Sequence, residues 1–465
     1  MKFNENRELW LAEKLQSQKI KTTVKIIVFA FLFVCLMLLL PPFQKMLVSI
    51  SVSYASLPFT VFIFLLFALS CLYAKEISAF MENSANSKLI MVLLVCALAL
   101  GLCLISIFSY IYGKQWLDSD HASEMILGKI LADENVLLTT SWLYSTELRL
   151  IYQTIFTMPL FKLLGGLENW ALIRSINIFL NNIVLVLSFI FMMRQFKVQL
   201  KWILITSFFL FVPFYYEYWN IVTFGGYYIF FIAQVFCGLG LFTRLVNNSS
   251  KGKKVWLEFI LFLALLFALG VQGIRALYII HIPLFVTCIY LRVKSENKTN
   301  FPLFLGCCSL AAGAVGFAVN ILLSVLYNFI TYEVIILEDL YSTFIVKLGQ
   351  SLFNLAAFFG ISASSLIFSV HGIFSIIAIF ATFVLFWTAC KSCRKNQFLS
   401  VFFIACTLVN LFIFIVTRRP IITRYFILFM IFYIPLTALL FEHCEKFYGY
   451  IKRIAIISAI ILFVF

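Results

Sequence analysis

Six acidic side chains are concentrated in residues 116–149, the longest polar interval of an otherwise apolar chain. Asp118 and Asp120 open this interval as a D-x-D pair, directly after an apolar run. A carboxylate beside a hydroxyl can take up its proton, and paired carboxylates can hold a divalent cation that bridges phosphates. Asp118 and Asp120 are therefore candidate catalytic residues, and Mg or Mn binding is an option. The alternative is a solvated loop start, because D-x-D is a short pattern that chance supplies often.

Neighbouring residues are candidates for binding an acceptor or a sugar. His121 could orient a carboxylate or ligate a metal, although a surface histidine is the commoner explanation. Glu147 follows Trp142 and Tyr144 in SWLYSTEL, and a carboxylate beside aromatic rings is typical of a carbohydrate-binding face. The same rings fit the aromatic belt of a membrane surface equally well. Glu217, in YYEYWN, is an acid within a second aromatic cluster. It is a further candidate for lining the cavity that binds the acceptor or the sugar.

Four arginines are candidates for holding a phosphate. Arg418, Arg419 and Arg424 fall within the short connector TRRPIITRYF, and arginine makes bidentate contacts with phosphate oxygens. Arg275 lies between two apolar runs, where an arginine is costly unless it faces a cavity or a partner. The alternative interpretations for the first three are an error in the predicted topology or simple anchoring in lipid headgroups.

The composition indicates that membrane spans position these residues. The 465-residue chain is 63% hydrophobic and only 12% charged, and its mean hydropathy is +1.04. Apolar runs of membrane-spanning length recur throughout, which excludes an ordinary water-soluble domain. The net charge of +15 does not indicate nucleic-acid binding, because charge in such a protein must be judged by its side of the bilayer. We expect an all-α polytopic membrane protein with membrane lipids, not nucleic acid, as its surroundings.

The apolar runs predict about thirteen transmembrane helices. They lie at 24–41, 57–74, 89–112, 170–193, 202–216, 224–243, 256–271, 276–291, 302–327, 371–390, 398–417, 424–441 and 453–465. Residues 1–23 are predicted to be a cytoplasmic amphipathic N-terminus, and 24–465 a single transmembrane domain with outer loops at 113–169 and 328–370. Within these loops, residues 148–166 predict an interfacial or re-entrant helix. Residues 352–370 are interpreted as an outer-surface or re-entrant segment instead of a span.

The distribution of positive charge sets the expected orientation. With a cytoplasmic N-terminus, the inner connectors collect 24 of the 35 lysines and arginines, as the positive-inside rule requires. This arrangement places the acidic interval 116–149 and the connector of Arg424 on the outer side of a cell membrane. The sequence contains no GxxxxGK[ST] loop, no GxGxxG after a strand and no HExxH. Energy for any transfer is therefore expected to arrive with the substrate or from an ion gradient.

The order of these features resembles the GT-C superfamily of integral-membrane glycosyltransferases, which use polyprenyl-phosphate sugars as donors. The resemblance is carried by the acidic WLDSDH, by KLLGGLENWALIRSIN with Gly165, Gly166 and Arg174, and by the late RPIITRYF. It implies that an acid of the first large outer loop is the base for the acceptor, and that Arg424 and Tyr425 contact the lipid phosphate. Three predicted spans precede the acidic loop, where the family usually has one.

The expected function is transfer of a sugar from a polyprenyl-phosphate donor to a glycan or lipid acceptor at the outer face, for assembly or modification of the cell envelope. Asp118 or Asp120 would act on the acceptor hydroxyl. The phosphate would be held by Arg275, Arg418, Arg419, Arg424 and Tyr425. No cofactor is required, and a divalent metal stays optional. A transporter or flippase of lipid-linked glycans and a wall-polysaccharide polymerase are the alternatives that the sequence leaves open.

Overall fold

The structure is a computed structural model, and it describes part of the chain. The described residues are 17–18, 20–30, 32–34, 36–37, 40, 69, 72–73, 76–77, 79–80, 84–113, 119–144, 152–211, 226, 228–249, 255–294, 300–327, 340–358, 397–417 and 422–442.

Helices make up nearly all of these ranges, which contain no β-strand. The helices are α1 Ser84–Tyr112, α2 Ser119–Glu134, α3 Thr154–Leu164, α4 Trp170–Gln195, α5 Leu200–Ser207, α6 Ile229–Ser249, α7 Trp256–Val271, α8 Ile274–Lys294, α9 Phe301–Leu326, α10 Leu340–Phe358, α11 Gln397–Val416, α12 Ile427–Met430 and α13 Tyr433–Glu442. A π-helical turn, Leu277–His281, interrupts α8, and a 3-10 turn, Thr423–Phe426, precedes α12.

Six of the described helices are long and apolar enough to cross a membrane. They are α1, α4, α6, α8, α9 and α11. The all-α, membrane-protein prediction is therefore confirmed at this level, whereas the count of thirteen spans is not. The predicted spans 57–74, 371–390 and 453–465 lie wholly or largely outside the described residues.

Several boundaries differ from the sequence prediction, and local chemistry explains them. The span predicted at 224–243 is instead Ile229–Ser249. Its start is delayed because Gly226 adopts a φ of +70°, a left-handed conformation that interrupts a helix. The split between 256–271 and 276–291 is confirmed, since Gly273 has a φ of +115° and turns the chain sharply between α7 and α8.

One predicted span is less regular than a single helix. The span predicted at 424–441 consists of a 3-10 turn, then α12 and α13, with a break between them.

Residues 148–166, in the first predicted outer loop, contain α3, whose Thr157 and Phe161 are buried. α10 occupies part of the predicted outer loop 328–370, and its Lys347 Nζ donates to the Thr417 carbonyl at the end of α11. The predicted placement of 352–370 at the outer surface stays a prediction.

The core is built from aromatic side chains of helices that are distant in sequence. Phe236 of α6 packs 5.7 Å from Phe189 of α4 and 6.0 Å from Phe432, measured between ring centroids. Phe402 of α11 lies 5.2 Å from Phe432. These rings are fully or almost fully buried, so one contiguous core joins α4, α6, α11 and the segment between α12 and α13.

Helices α7 and α9 approach each other closely through glycines. A Cβ atom placed on Gly270 would lie 2.5 Å from the Gly313 carbonyl oxygen, and one on Gly316 would lie 2.8 Å from the Val271 nitrogen. Small residues allow such backbone contact, which is a common way for membrane helices to pack. Asn320 adds a hydrogen bond, because its Nδ2 donates to the Val271 carbonyl at 2.8 Å.

We expect Gly316→Ala to lower the stability of the protein by about 1–3 kcal/mol, because the new methyl group would collide with the backbone of α7. The matched control is Gly349→Ala in α10, where nothing lies within 4 Å of the added atom. That variant should be neutral or slightly stabilising, since alanine favours a helix over glycine. Thermal unfolding in detergent measures both. Equal effects of the two substitutions would contradict the close packing of α7 on α9.

Candidate functional site

Arg275 is buried at the start of α8, with 9% of its surface exposed. The Gly273 turn places it there, immediately after α7 ends. Its Nη1 donates to the Tyr228 hydroxyl oxygen at 2.9 Å. Its guanidinium carbon lies 5.3 Å from the ring centroid of Tyr228 and also 5.3 Å from that of Tyr425. Two aromatic faces therefore stabilise a cation that the apolar bundle would otherwise disfavour.

Arg424 lies in the 3-10 turn before α12, next to the same tyrosine. Its guanidinium carbon is 5.8 Å from the Tyr425 ring centroid. Its Nη1 lies 3.5 Å from Asp120 Oδ2, and the two residues are 304 positions apart in the chain. The side chains of Arg424 and Asp120 are 36% and 51% exposed. The Asp120–Arg424 ion pair is therefore accessible to solvent, whereas Arg275 is buried.

The arrangement combines two cations with one carboxylate, so it carries a net positive charge and favours an anion. The Nε atom of Arg424 is buried and has no hydrogen-bond partner among the described residues. A planar guanidinium offers its donors in a fork that matches the oxygens of a phosphate. We define Asp120, Tyr228, Arg275, Arg424 and Tyr425 as the arginine site. It can hold a phosphate beside a carboxylate.

Four residues singled out from the sequence meet in the arginine site: Asp120, Arg275, Arg424 and Tyr425. Tyr228 was missed by the sequence analysis. The available signal was its position in GGYY, just after a glycine pair and before the apolar run of α6. Tyrosine there is typical of a membrane boundary, so only the contact with Arg275 reveals its role.

His121 is buried, with 4% of its surface exposed. The interpretation of His121 as a surface histidine is therefore wrong. It lies in the first turns of α2, which packs along α3, and Glu124 one turn later is also buried. Helical geometry explains the difference, because α2 turns Asp120 towards solvent and its neighbour towards the protein.

Tyr144 packs inside the protein instead of presenting a binding face. Its hydroxyl oxygen accepts the Thr139 backbone N–H at 3.0 Å, and its ring meets Tyr327 edge-on at 6.4 Å. Burial raises the pKa of Tyr144, an effect that the hydrogen bond from Thr139 partly offsets. Trp142 is half-buried against the same small hydrophobic core, which Tyr144 forms with Leu127, Leu131 and Val271. The arrangement favours a packing role for these rings over the predicted sugar-binding role.

Other predicted site residues lie outside the described residues: Asp118, Glu147, Glu217, Arg418 and Arg419. Within the described ranges, no group of three or more His, Cys, Asp or Glu side chains is placed to hold a metal ion. Asp118 lies outside the described ranges, so metal binding by the D-x-D pair stays a prediction.

We expect Tyr228→Phe to destabilise the protein by about 1.5–3 kcal/mol, because it removes an oxygen that accepts from the buried charge of Arg275. Asp120→Asn should change the stability by about 1 kcal/mol or less, since exposed ion pairs contribute little. Thermal unfolding in detergent distinguishes the two. A larger loss for Asp120→Asn would mean that the Asp120–Arg424 pair is mainly structural.

Comparison of the chain with protein-family models, with curated proteins and with solved structures finds no match.

Proposed function

We propose that the protein transfers a sugar from a polyprenyl-phosphate donor to a glycan or lipid acceptor at the outer face of a cell membrane. The observation that carries the proposal is the 3.5 Å approach of Asp120 to Arg424. It joins a carboxylate to Arg424, the proposed phosphate ligand, next to a second, buried arginine. The helices of membrane-spanning length around them suit a donor that is itself a lipid.

The two halves of the arginine site match the two demands of this reaction. The acceptor hydroxyl oxygen attacks the anomeric carbon and forms the new glycosidic bond. The bond from that carbon to the phosphate oxygen breaks, and its electron pair stays on the lipid phosphate. Asp120, or Asp118 two residues before it, takes the hydroxyl proton. Arg275 and Arg424 stabilise the negative charge that develops on the leaving phosphate.

The long Asp120–Arg424 contact supports this division of roles. Charge-assisted hydrogen bonds between arginine and carboxylate are usually about 2.7–2.9 Å long, so a 3.5 Å contact between exposed groups is weak. A phosphate can therefore displace Asp120 from Arg424 and bind there without breaking a strong interaction. Asp120 is then left beside the bound donor and available to the acceptor hydroxyl.

The surrounding sequence is consistent with a lipid-linked donor. The lack of nucleotide-binding loop motifs in the sequence means that energy must come with the substrate or a gradient, and the glycosyl–phosphate bond supplies it in this proposal. A divalent metal at Asp118 and Asp120 would be an additional aid to the leaving phosphate, and the arginine pair provides positive charge without it.

Removal of the base, by either Asp120→Asn or Asp118→Asn, should slow sugar transfer by about a hundredfold or more while leaving donor binding intact, because the amide cannot accept the proton. The assay uses full-length protein in liposomes with a radiolabelled polyprenyl-phosphate sugar pool and membrane acceptors. Asp118→Asn is tested in parallel, since either acid could be the base. The matched control is Asp133→Asn, an exposed acid on the same helix that pairs with Lys129. Full transfer by both Asp118→Asn and Asp120→Asn would exclude the proposed base.

Arg424→Lys should weaken binding of the donor by about tenfold, because lysine replaces the planar fork with a point charge. Arg244→Lys is the matched control, since Arg244 pairs with Glu258 at 2.7 Å outside the arginine site. Binding is measured with the bare polyprenyl phosphate. If wild-type protein moves lipid-linked sugar between leaflets and transfers none, the transferase proposal is wrong and the arginine site belongs to a flippase.

A further inference from the structure

One face of α4 is polar, although this helix is long and apolar enough to span a membrane. Arg174, Asn177 and Asn181 recur at helical spacing and lie on the same side of the helix. They are 3%, 2% and 0% exposed. A buried amide in such a helix is costly unless it is hydrogen-bonded. The polar face therefore requires an explanation.

The amides of this face meet two other parts of the chain. Asn177 Nδ2 donates to the Gln153 Oε1 atom at 3.2 Å, just before α3 begins. Gly226 covers the same place, since a Cβ atom on it would lie 3.1 Å from Asn181 Nδ2 and 3.7 Å from Gln153 Oε1. We define Gln153, Asn177, Asn181 and Gly226 as the amide cluster. Three separate segments converge to form it.

The amide cluster has unused hydrogen-bonding capacity. Both side-chain polar atoms of Asn181, and Oδ1 of Asn177, are buried and have no partner in the part of the chain that the structure describes. Over nine-tenths of buried polar groups in proteins do have a partner. An asparagine offers both donors and acceptors and no charge. Its natural complement is a ligand group that also donates and accepts, such as a hydroxyl.

The cluster lies next to the arginine site along the chain. Gly226 is two residues before Tyr228, whose hydroxyl accepts from Arg275. Two residues of chain span at most about 7 Å, so the backbone of Gly226 is close to that of Tyr228, and a ligand whose phosphate lies on the arginines would extend its neighbouring group towards the amides. Phosphate oxygens only accept hydrogen bonds, whereas the hydroxyls of a sugar both donate and accept. The two sites are thus chemically distinct, and Gly226 and Tyr228 bring them close together along the chain.

We propose that the amide cluster binds the hydroxyl groups of the sugar that the lipid phosphate carries. This inference rests on the proposed function and adds to it the residues that recognise the donor sugar. Asn181 is the central contact, because both ends of its amide are available and it is completely buried. A side chain at position 226 would crowd this amide, because a Cβ atom there would lie 3.1 Å from Asn181 Nδ2.

The test compares the affinity for bare polyprenyl phosphate with that for polyprenyl-phosphate glucose, mannose and arabinose. Wild-type protein should bind at least one of the sugar lipids about tenfold more tightly than the bare lipid, since buried polar groups discriminate strongly for hydroxyls. Asn181→Leu should abolish this preference and leave binding of the bare lipid unchanged. Its thermal stability should be maintained or raised, because leucine removes unsatisfied polar atoms at similar volume.

Asn320→Leu is the matched control. Asn320 is a buried asparagine whose Nδ2 already donates to the Val271 carbonyl, so leucine there should lower thermal stability and leave the sugar preference intact. If Asn181→Leu retains the preference, the amide cluster holds water only and the inference is wrong. Equal binding of every sugar lipid and the bare lipid by wild-type protein would also overturn it.

These outcomes are separable from failure of the proposed function. A wild-type protein that prefers a sugar lipid, loses the preference in Asn181→Leu, and transfers no sugar would retain the amide cluster as a recognition site and exclude the transferase. Sugar transfer that persists in Asn181→Leu with unchanged sugar preference would support the transferase and overturn the amide cluster. A wild-type protein that binds no lipid phosphate would overturn both.

Discussion

The positive charge of Arg275 inside an apolar helix bundle is the constraint on which the site depends. A guanidinium at this depth is unfavourable unless aromatic faces and hydrogen-bond acceptors surround it. Tyr228 and Tyr425 provide both, and they come from segments almost 200 residues apart. Stabilising Arg275 therefore brings the start of α6 and the turn before α12 to the same point. The second arginine, Arg424, is held there because it adjoins Tyr425.

The packing of α7 on α9 fixes where Arg275 lies. Gly270 and Gly316 let the two backbones touch, and Asn320 anchors the last carbonyl of α7. The chain then turns at Gly273, which adopts a conformation that other residues rarely adopt. Arg275 follows two residues later. The position of a charged side chain at the site is thus a consequence of glycine contacts between neighbouring helices.

Two sites that are linked through Gly226 and Tyr228 along the chain offer complementary chemistry. The arginine site presents cations and one carboxylate, which suit a phosphate and the proton of a hydroxyl. The amide cluster presents neutral groups that donate and accept, which suit hydroxyls. A lipid-linked sugar contains both kinds of group joined by one bond. This chemical match links the proposed reaction to the proposed recognition of the sugar.

The sequence by itself determined the helical, membrane-embedded class of the protein, because long apolar runs leave few alternatives. It also identified Asp120, Arg275 and Arg424, since charged residues are rare in this chain and costly beside apolar runs. The helical spacing of Arg174, Asn177 and Asn181 is also a property of the sequence. The apolar runs, the rare charged residues and the helical spacing of polar residues can all be recognised within short stretches of the sequence.

Only the tertiary structure decided which of these residues meet. The contact of Asp120 with Arg424 spans 304 positions, and no local pattern encodes such a pairing. Tyr228 as the acceptor for Arg275, the burial of His121 and the covering of Asn181 by Gly226 likewise depend on how helices pack. Sequence period fixes which face of a helix is polar or apolar, but the partner of that face is set by the contacts of the whole bundle.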